Sequence, residues 1–338
     1  MTEGHGGLIG TAAPPEVETA TAVDPLLLAP DGPSVVAIGG GHGLAAALEA
    51  VQLYAGKVTA IVSVADDGGS SGRLIEGMKI PAPGDIRRCL LALTPEPTLV
   101  SELFAYRFAS GDVANHSLGN LMLVALTDLF GDFEAAVQAA GRMLGAVGEV
   151  VPATNQPVGL RAVIDGVPVV GQSKITKTRG RIEQLSLDPT DAAANLRALE
   201  AIASADQIVI GPGSLFTSVI ATPLVPDRAE VVMASSARRV FVCNLITQDG
   251  ETWDLDGPGH VEALARLGGV DGPGTIVVHD GPLAVPEGHK RIDFEDSLVG
   301  SWDVVRADVA DPTADWPAHD PFALAQVLEG LPMFPTLI

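Results

Sequence analysis

Ser34-Val35-Val36-Ala37-Ile38-Gly39-Gly40-Gly41-His42-Gly43 is the stretch from which the fold can be read. Four apolar residues in a row, 35–38, suit a strand buried on both faces, and a run of glycines then turns the chain sharply. Beyond the turn, Leu44, Leu48 and Val51 recur at helical spacing within 44–54, and a second apolar run occupies 58–64. Strand, glycine turn, helix and strand make a βαβ unit. Its right-handed crossover brings the glycine turn and the end of the second strand to one edge of a parallel sheet, where α/β proteins bind ligands. The expected fold class is α/β, Rossmann-like and doubly wound, with a mainly parallel sheet.

The same pattern continues downstream. Helical spacing over 85–93, 98–108, 117–130 and 133–147 predicts a helical insertion around 85–147. Strands are expected at 150–153, 161–164 and 167–172, the last two joined by the hairpin signal Asp165-Gly166, as an antiparallel excursion. A helix at 191–203, a strand at 207–210 and the turn Gly211-Pro212-Gly213-Ser214 then repeat the opening logic. A helix near 229–235, a strand at 240–244, a helix at 261–267, strands at 275–279 and 302–306 and a helix at 322–331 complete the chain. Residues 1–33 lack sustained periodicity and read as a flexible N-terminal tail ahead of a single nucleotide-binding domain, 34–338.

Composition narrows the function classes. Of 338 residues 47% are hydrophobic but only 4% aromatic, and Gly numbers 38, so an aliphatic core with many tight turns is expected. Forty-two acidic against 20 basic residues give a formal charge of -22, which repels nucleic acid and anionic membranes and attracts metal ions. Small anions can still bind at helix N-termini and backbone amides. Cys89 and Cys243 lie in apolar stretches without the spacing of a zinc or redox motif, and so read as buried thiols. With neither a transmembrane run nor a signal-peptide pattern, a cytoplasmic protein without membrane insertion is expected.

Several polar clusters fall at predicted strand ends. Gly41-x-Gly43-x-x-Ala46 fits the loose dinucleotide fingerprint, although tight packing alone would also explain it. Asp66-Asp67-Gly68-Gly69-Ser70-Ser71-Gly72-Arg73 ends the second strand. Its paired carboxylates suit Mg²⁺ bridging phosphate oxygens, with Arg73 offsetting charge; a solvated acidic turn is the plainer alternative. Asp85 is placed to N-cap the following helix, and Arg87 to offer a bidentate donor to phosphate. His116 and Asn120 flank a polar turn, with His116, Asp66 and Asp67 as the catalytic candidates. Gly211, Gly213, Ser214, Thr217 and Ser218 form a second anion turn, and Asn244 and Thr247 open a loop that either reads a base or sugar or is an ordinary polar loop.

Taken in order, GGGHG, ADDGGSSGRL, PGDIR, HSLGN, PATNQP, GPGSLFTS and CNLITQDGET resemble the YvcK family, also called gluconeogenesis factor or UPF0052, over about 35–278. That resemblance implies a CofD-like fold and binding of the nucleotide sugar UDP-N-acetylglucosamine. It also implies a homodimer and a regulatory role in cell shape and peptidoglycan precursor supply during gluconeogenic growth. Related CofD enzymes are 2-phospho-L-lactate transferases that use a divalent metal and a nucleotide diphosphate donor, which is the alternative reading. By resemblance, Gly40, Gly41, His42 and Gly43 form the first nucleotide turn, Asp66 and Asp67 match the metal-binding pair, and Gly211, Gly213 and Ser214 form the second loop. Two departures stand out: Arg88, where the family generally has Asn, and Ala221-Thr222-Pro223, where it generally has Pro-Asn-Leu. A dehydrogenase is disfavoured, because a double-Asp turn is a poor ribose clamp and no catalytic Tyr-Lys or His pair stands out. No redox cofactor is expected.

Overall fold

The computed structural model describes residues 28–67, 80–296 and 298–332. Most of the expected N-terminal tail, and Ser70, Ser71 and Arg73, lie outside the described residues.

The opening stretch folds as expected. Strand β1 (Ser34–Gly39) runs into α1 (Gly41–Val51), and β2 (Lys57–Val62) returns parallel to β1. A helical layer follows: α2 (Gly84–Ala92), α3 (Leu99–Ala105), α4 (Leu118–Phe130) and α5 (Phe133–Leu144). Each of the last three begins at a polar cap, since Thr98, Ser117 and Asp132 accept backbone N–H groups of the first turn.

The chain then enters β3 (Glu149–Pro152), which pairs parallel with β2. Thus β3 extends the main sheet, and the expected antiparallel excursion begins after it, at the Asp165-Gly166 hairpin. The antiparallel unit is a separate sheet in the order β5-β4-β6, made of β4 (Gly159–Ile164), β5 (Val167–Val170) and β6 (Ile182–Asp188). Asp165 and Gly166 turn the hairpin with φ of 48° and 76°. β6 was not anticipated. Helix α6 (Gln172–Ile175) links β5 to it, and α7 (Leu196–Ala203) follows. α7 starts five residues later than the spacing predicts, because the Asn195 side chain accepts N–H from Arg197 and Ala198 and fixes the start there.

β7 (Gln207–Ile210) pairs parallel with β1 on the side opposite β2. The turn after it opens a π-helical segment, Leu215–Ile220, rather than the expected α-helix. Then come α8 (Arg228–Ala234), β8 (Arg238–Val242), α9 (Gly257–Gly268), β9 (Gly274–His279), β10 (Leu298–Val299), β11 (Trp302–Ala307) and α10 (Pro321–Gly330). Strand order in the large sheet is β10-β11-β9-β8-β7-β1-β2-β3, with all neighbours parallel except the edge pair β10/β11.

Alternation along the strands feeds two cores. Val35, Ala37, Val58, Ala60, Val209 and Val240 pack toward α1, α2, α4, α5 and α10, while Val36, Ile38, Ile61, Ile208, Ile210 and Phe241 pack toward the small sheet, α7, α8 and α9. Cys89 and Cys243 are buried thiols, and burial pushes the Cys243 pKa up to about 12. Among the described residues no helix is long and apolar enough to cross a membrane. Because β1 has its successor β2 on one side and β7 on the other, the strand order reverses between β1 and β7, and a crevice is expected above their C-terminal ends.

Candidate functional site

At that reversal the two glycine turns meet. A Cβ on Gly43 would lie 2.5 Å from the Pro212 carbonyl oxygen, and one on Gly213 would lie 2.9 Å from the Gly40 carbonyl oxygen, so glycine is what lets the loops approach. Together they line a polar cavity of about 260 Å³ with Gly40, Gly41, His42, Asp66, Asp85, Ser214, Thr217 and Ser218. Ser63, Arg88, Gln172 and Gln248 complete its walls, and none of these four was singled out from the sequence as a site residue. Register could have found Ser63: Gly39 pairs with Val62, so Ser63 is level with Gly40.

The structure refines the reading of two anion-binding turns. Asp85 does not cap its own helix, whose N-cap is Pro83; its Oδ2 instead accepts the Gly41 N–H at 2.8 Å, at the N-terminus of α1. Arg88 donates to the other carboxylate oxygen. Burial pushes the Asp85 carboxyl up, against the opposing pull of Arg88, the Gly41 N–H and Arg87. In the second loop, Asn244 clamps Gly213 from both ends, accepting its N–H at 3.0 Å and donating to its carbonyl at 2.8 Å. Glu251, fully buried behind the π-helical segment, accepts the N–H groups of Phe216 (3.0 Å) and Thr217 (3.3 Å) and the Thr217 hydroxyl (2.6 Å). Its carboxyl is likewise raised by burial. Gly41, Gly213, Phe216 and Thr217 thus have internal partners, and Arg88, His42 and the hydroxyls of Ser63, Ser214 and Ser218 supply donors along the cleft.

Other expected site residues fall elsewhere. Asp67 is exposed, and its Oδ1 accepts the Ser173 N–H at 2.8 Å near the start of α6, so only Asp66 of the acidic pair lines the cavity. Arg87 turns into the helical layer, where Nε donates to Asn120 at 3.1 Å and Nη1 to the Phe104 carbonyl at 3.4 Å. Desolvation lowers its pKa to about 10, with Arg88 and Arg107 adding to the effect. Arg88, one residue on, takes the cleft position assigned to Arg87. His116 is buried in the turn before α4 and does not line the cavity. Gly211 turns the chain with φ of 70° and does not line the cavity.

His42 stands at the rim with its pKa lowered, first by desolvation and then by Arg88 and Arg87, which favours the neutral ring. It also borders a second cavity of about 510 Å³, shared with Gly43, Gly213 and Gln248 and lined further by Asn244, Thr247, His289 and Trp316. A third, of about 530 Å³, lies beyond Glu251, with Phe216, Trp253 and Arg266 in its walls. Among the described residues no group of three or more His, Cys, Asp or Glu forms a metal cage. Asp66 is a hard oxygen donor of the kind Mg²⁺ takes together with phosphate oxygens and water.

A parallel sheet with interlocked glycine loops over its reversal defines a Rossmann-like cleft protein. The family model for 2-phospho-L-lactate transferase CofD matches residues 35–308. The chain is 39% identical over 312 residues to the gluconeogenesis factor of Bacillus subtilis, covering 88% of this chain and 98% of that protein. It is 42% identical over 253 residues to the gluconeogenesis factor of Halalkalibacterium halodurans, covering 74% and 79%. A Nostoc relative is 47% identical over 235 residues, 69% of this chain, but the chain spans only 52% of that protein's length. A crystal structure of a UPF0052 family protein from Bacillus halodurans superposes with a TM-score of 0.84 at 35% identity, covering 88% of this chain and 99% of that one. The chain belongs to the gluconeogenesis-factor family, YvcK or UPF0052, with a CofD-like domain.

Proposed function

We propose that the protein binds a nucleotide sugar, UDP-N-acetylglucosamine, in the cleft between its two glycine loops. On this reading it acts as a cytoplasmic, homodimeric regulator of cell shape and peptidoglycan precursor supply during gluconeogenic growth. One observation carries the binding half: loops from two different strands interlock at the sheet's reversal and share one polar cavity that adjoins a second, larger one. A diphosphate suits the first cavity, where Arg88 and serine hydroxyls are gathered. Titration calorimetry of the purified protein with UDP-N-acetylglucosamine is expected to show saturable binding. No heat with any uridine or guanosine diphosphate compound would remove the basis of the proposal.

A second reading, a CofD-type transferase, is favoured by the presence of Asp66 in the same cavity. Mg²⁺ held by Asp66 and ligand phosphates would offset charge on a leaving phosphate. This chain's own residues would orient the donor, with Arg88 on a phosphate and His42 at the rim. Incubation with Mg²⁺, nucleotide diphosphate donors and a deazaflavin acceptor tests it, and no product above background retires it.

A further inference from the structure

We propose that the second cavity is a nucleobase site in which Trp316 is the stacking face and the Gln248 amide a polar reader, an inference that rests on the nucleotide-binding reading above. This cavity has a different character from the phosphate cavity beside it. Its lining is built from Leu245, Ile246, Pro212, Pro317 and Ala318, with Asp249 as its one carboxylate among the described residues, and that carboxylate is paired with Arg179 at 2.7 Å. His319 in its wall is kept neutral, its pKa lowered to about 4 chiefly by burial. Low charge and an aromatic wall suit a base; a phosphate would find little to pair with there.

Trp316 is 55% exposed, in a chain with only three tryptophans. Its ring meets His289 at 89° with centroids 5.2 Å apart, and in a perpendicular pair the imidazole covers at most one face of the indole. With more than half of its surface exposed, the indole is accessible to a flat partner. The supporting histidine is itself anchored: Nδ1 faces the Thr247 carbonyl at 2.7 Å, and since a carbonyl only accepts, Nδ1 carries the proton. Thr247 is tied in turn to Lys290 by its backbone N–H (2.8 Å) and by its hydroxyl, which accepts the Lys290 N–H (2.9 Å). Trp316 thus rests on a braced support.

Gln248 lines both cavities, so it marks the boundary between diphosphate and nucleoside. Its Nε2 reaches Ser214 Oγ only at 3.4 Å, and its Oε1 is buried without a partner. A buried acceptor left unpaired is unfavourable, and a turn of the Gln248 amide into the cavity would let it accept from a ribose hydroxyl or a base N–H. The sharing of His42, Gly43, Gly213 and Gln248 between the cavities sets the base next to the diphosphate.

Fluorescence and calorimetry on the full chain test this, with UDP, GDP and inorganic pyrophosphate as probes. In a Trp253→Phe background, UDP or GDP is expected to quench indole emission, and Trp316→Phe added to that background is expected to abolish the quench. Trp316→Ala is expected to weaken nucleoside diphosphate binding by about tenfold or more while leaving pyrophosphate binding unchanged. Trp316→Phe is expected to restore most of that affinity. Unaltered nucleoside diphosphate affinity in Trp316→Ala, or an equal loss for nucleoside diphosphate and pyrophosphate, would overturn the proposal while leaving the phosphate cleft standing. Failure of the unsubstituted protein to bind either nucleoside diphosphate would overturn the nucleotide-binding reading itself, and this one with it.

Discussion

Thr217 Oγ1 lies 2.6 Å from Glu251 Oε1, and this bond stands between the polar cleft, which Thr217 lines, and the cavity behind it, which Glu251 lines. The Glu251 carboxylate gathers three donors from one turn of chain, so its removal leaves two buried backbone N–H groups unpaired. Glu251→Ala is expected to lower unfolding free energy by about 3 kcal/mol. Urea denaturation followed by circular dichroism checks this, and a loss under about 1 kcal/mol would show that the turn finds other partners.

Two neighbouring glycines are expected to differ for different physical reasons. Gly41 has φ of 71° and open space where a Cβ would go, so Gly41→Ala is expected to cost about 1 kcal/mol, from backbone conformation alone. Gly43→Ala would push a methyl to 2.5 Å from the Pro212 oxygen and 2.6 Å from the Gly213 nitrogen, both backbone atoms. Its expected cost is about 2–3 kcal/mol, with loss of nucleotide binding because the loops must part. Thermal unfolding paired with calorimetry separates the two, and equal effects would contradict the interlock.

Arg88 is the one guanidinium that lines the cleft among the described residues, and it pairs with Asp85. Replacing it with the residue the family pattern leads one to expect, Arg88→Asn, is predicted to weaken diphosphate affinity about tenfold or more. The salt dependence of binding should flatten as well. Calorimetry at two ionic strengths reads both effects.

His319 supplies a pH signature. Its Nε2 faces the Cys243 carbonyl at 3.2 Å, and burial above all holds its pKa at about 4, below the ordinary 6.5. A depressed folded-state pKa contributes stability that is present in full above 6.5 and is lost as pH falls toward 4. The full window corresponds to about 3 kcal/mol. Unfolding free energy of the unsubstituted protein should therefore fall more steeply from pH 7 to pH 4.5 than that of His319→Asn. Parallel curves would contradict a buried neutral imidazole.

The sheet was legible because its strands are uniform apolar runs and its turns are marked by glycine. Residues 35–43 and 207–214 announce themselves, and both appear as expected. β6 escaped because Ile182–Asp188 is broken by Glu183, Gln184 and Ser186, a pattern whose inward residues make sense only once β4 is beside it. The position of β3 was likewise a matter of pairing, which composition does not encode. At the site, motif reading located both loops but not the partners that hold them. That Asp85 reaches α1, that Glu251 reaches Thr217 and that Arg88 rather than Arg87 faces the cleft all depend on contacts between segments distant in sequence or on which way a helix face points.

The most direct test of the central claim is a crystal structure of the protein with UDP-N-acetylglucosamine. We expect the diphosphate between the Gly41-Gly43 turn and the Gly213-Ser214 turn, within reach of Arg88. A ligand seated instead in the cavity beside Trp253, with the paired glycine loops bare, would contradict it.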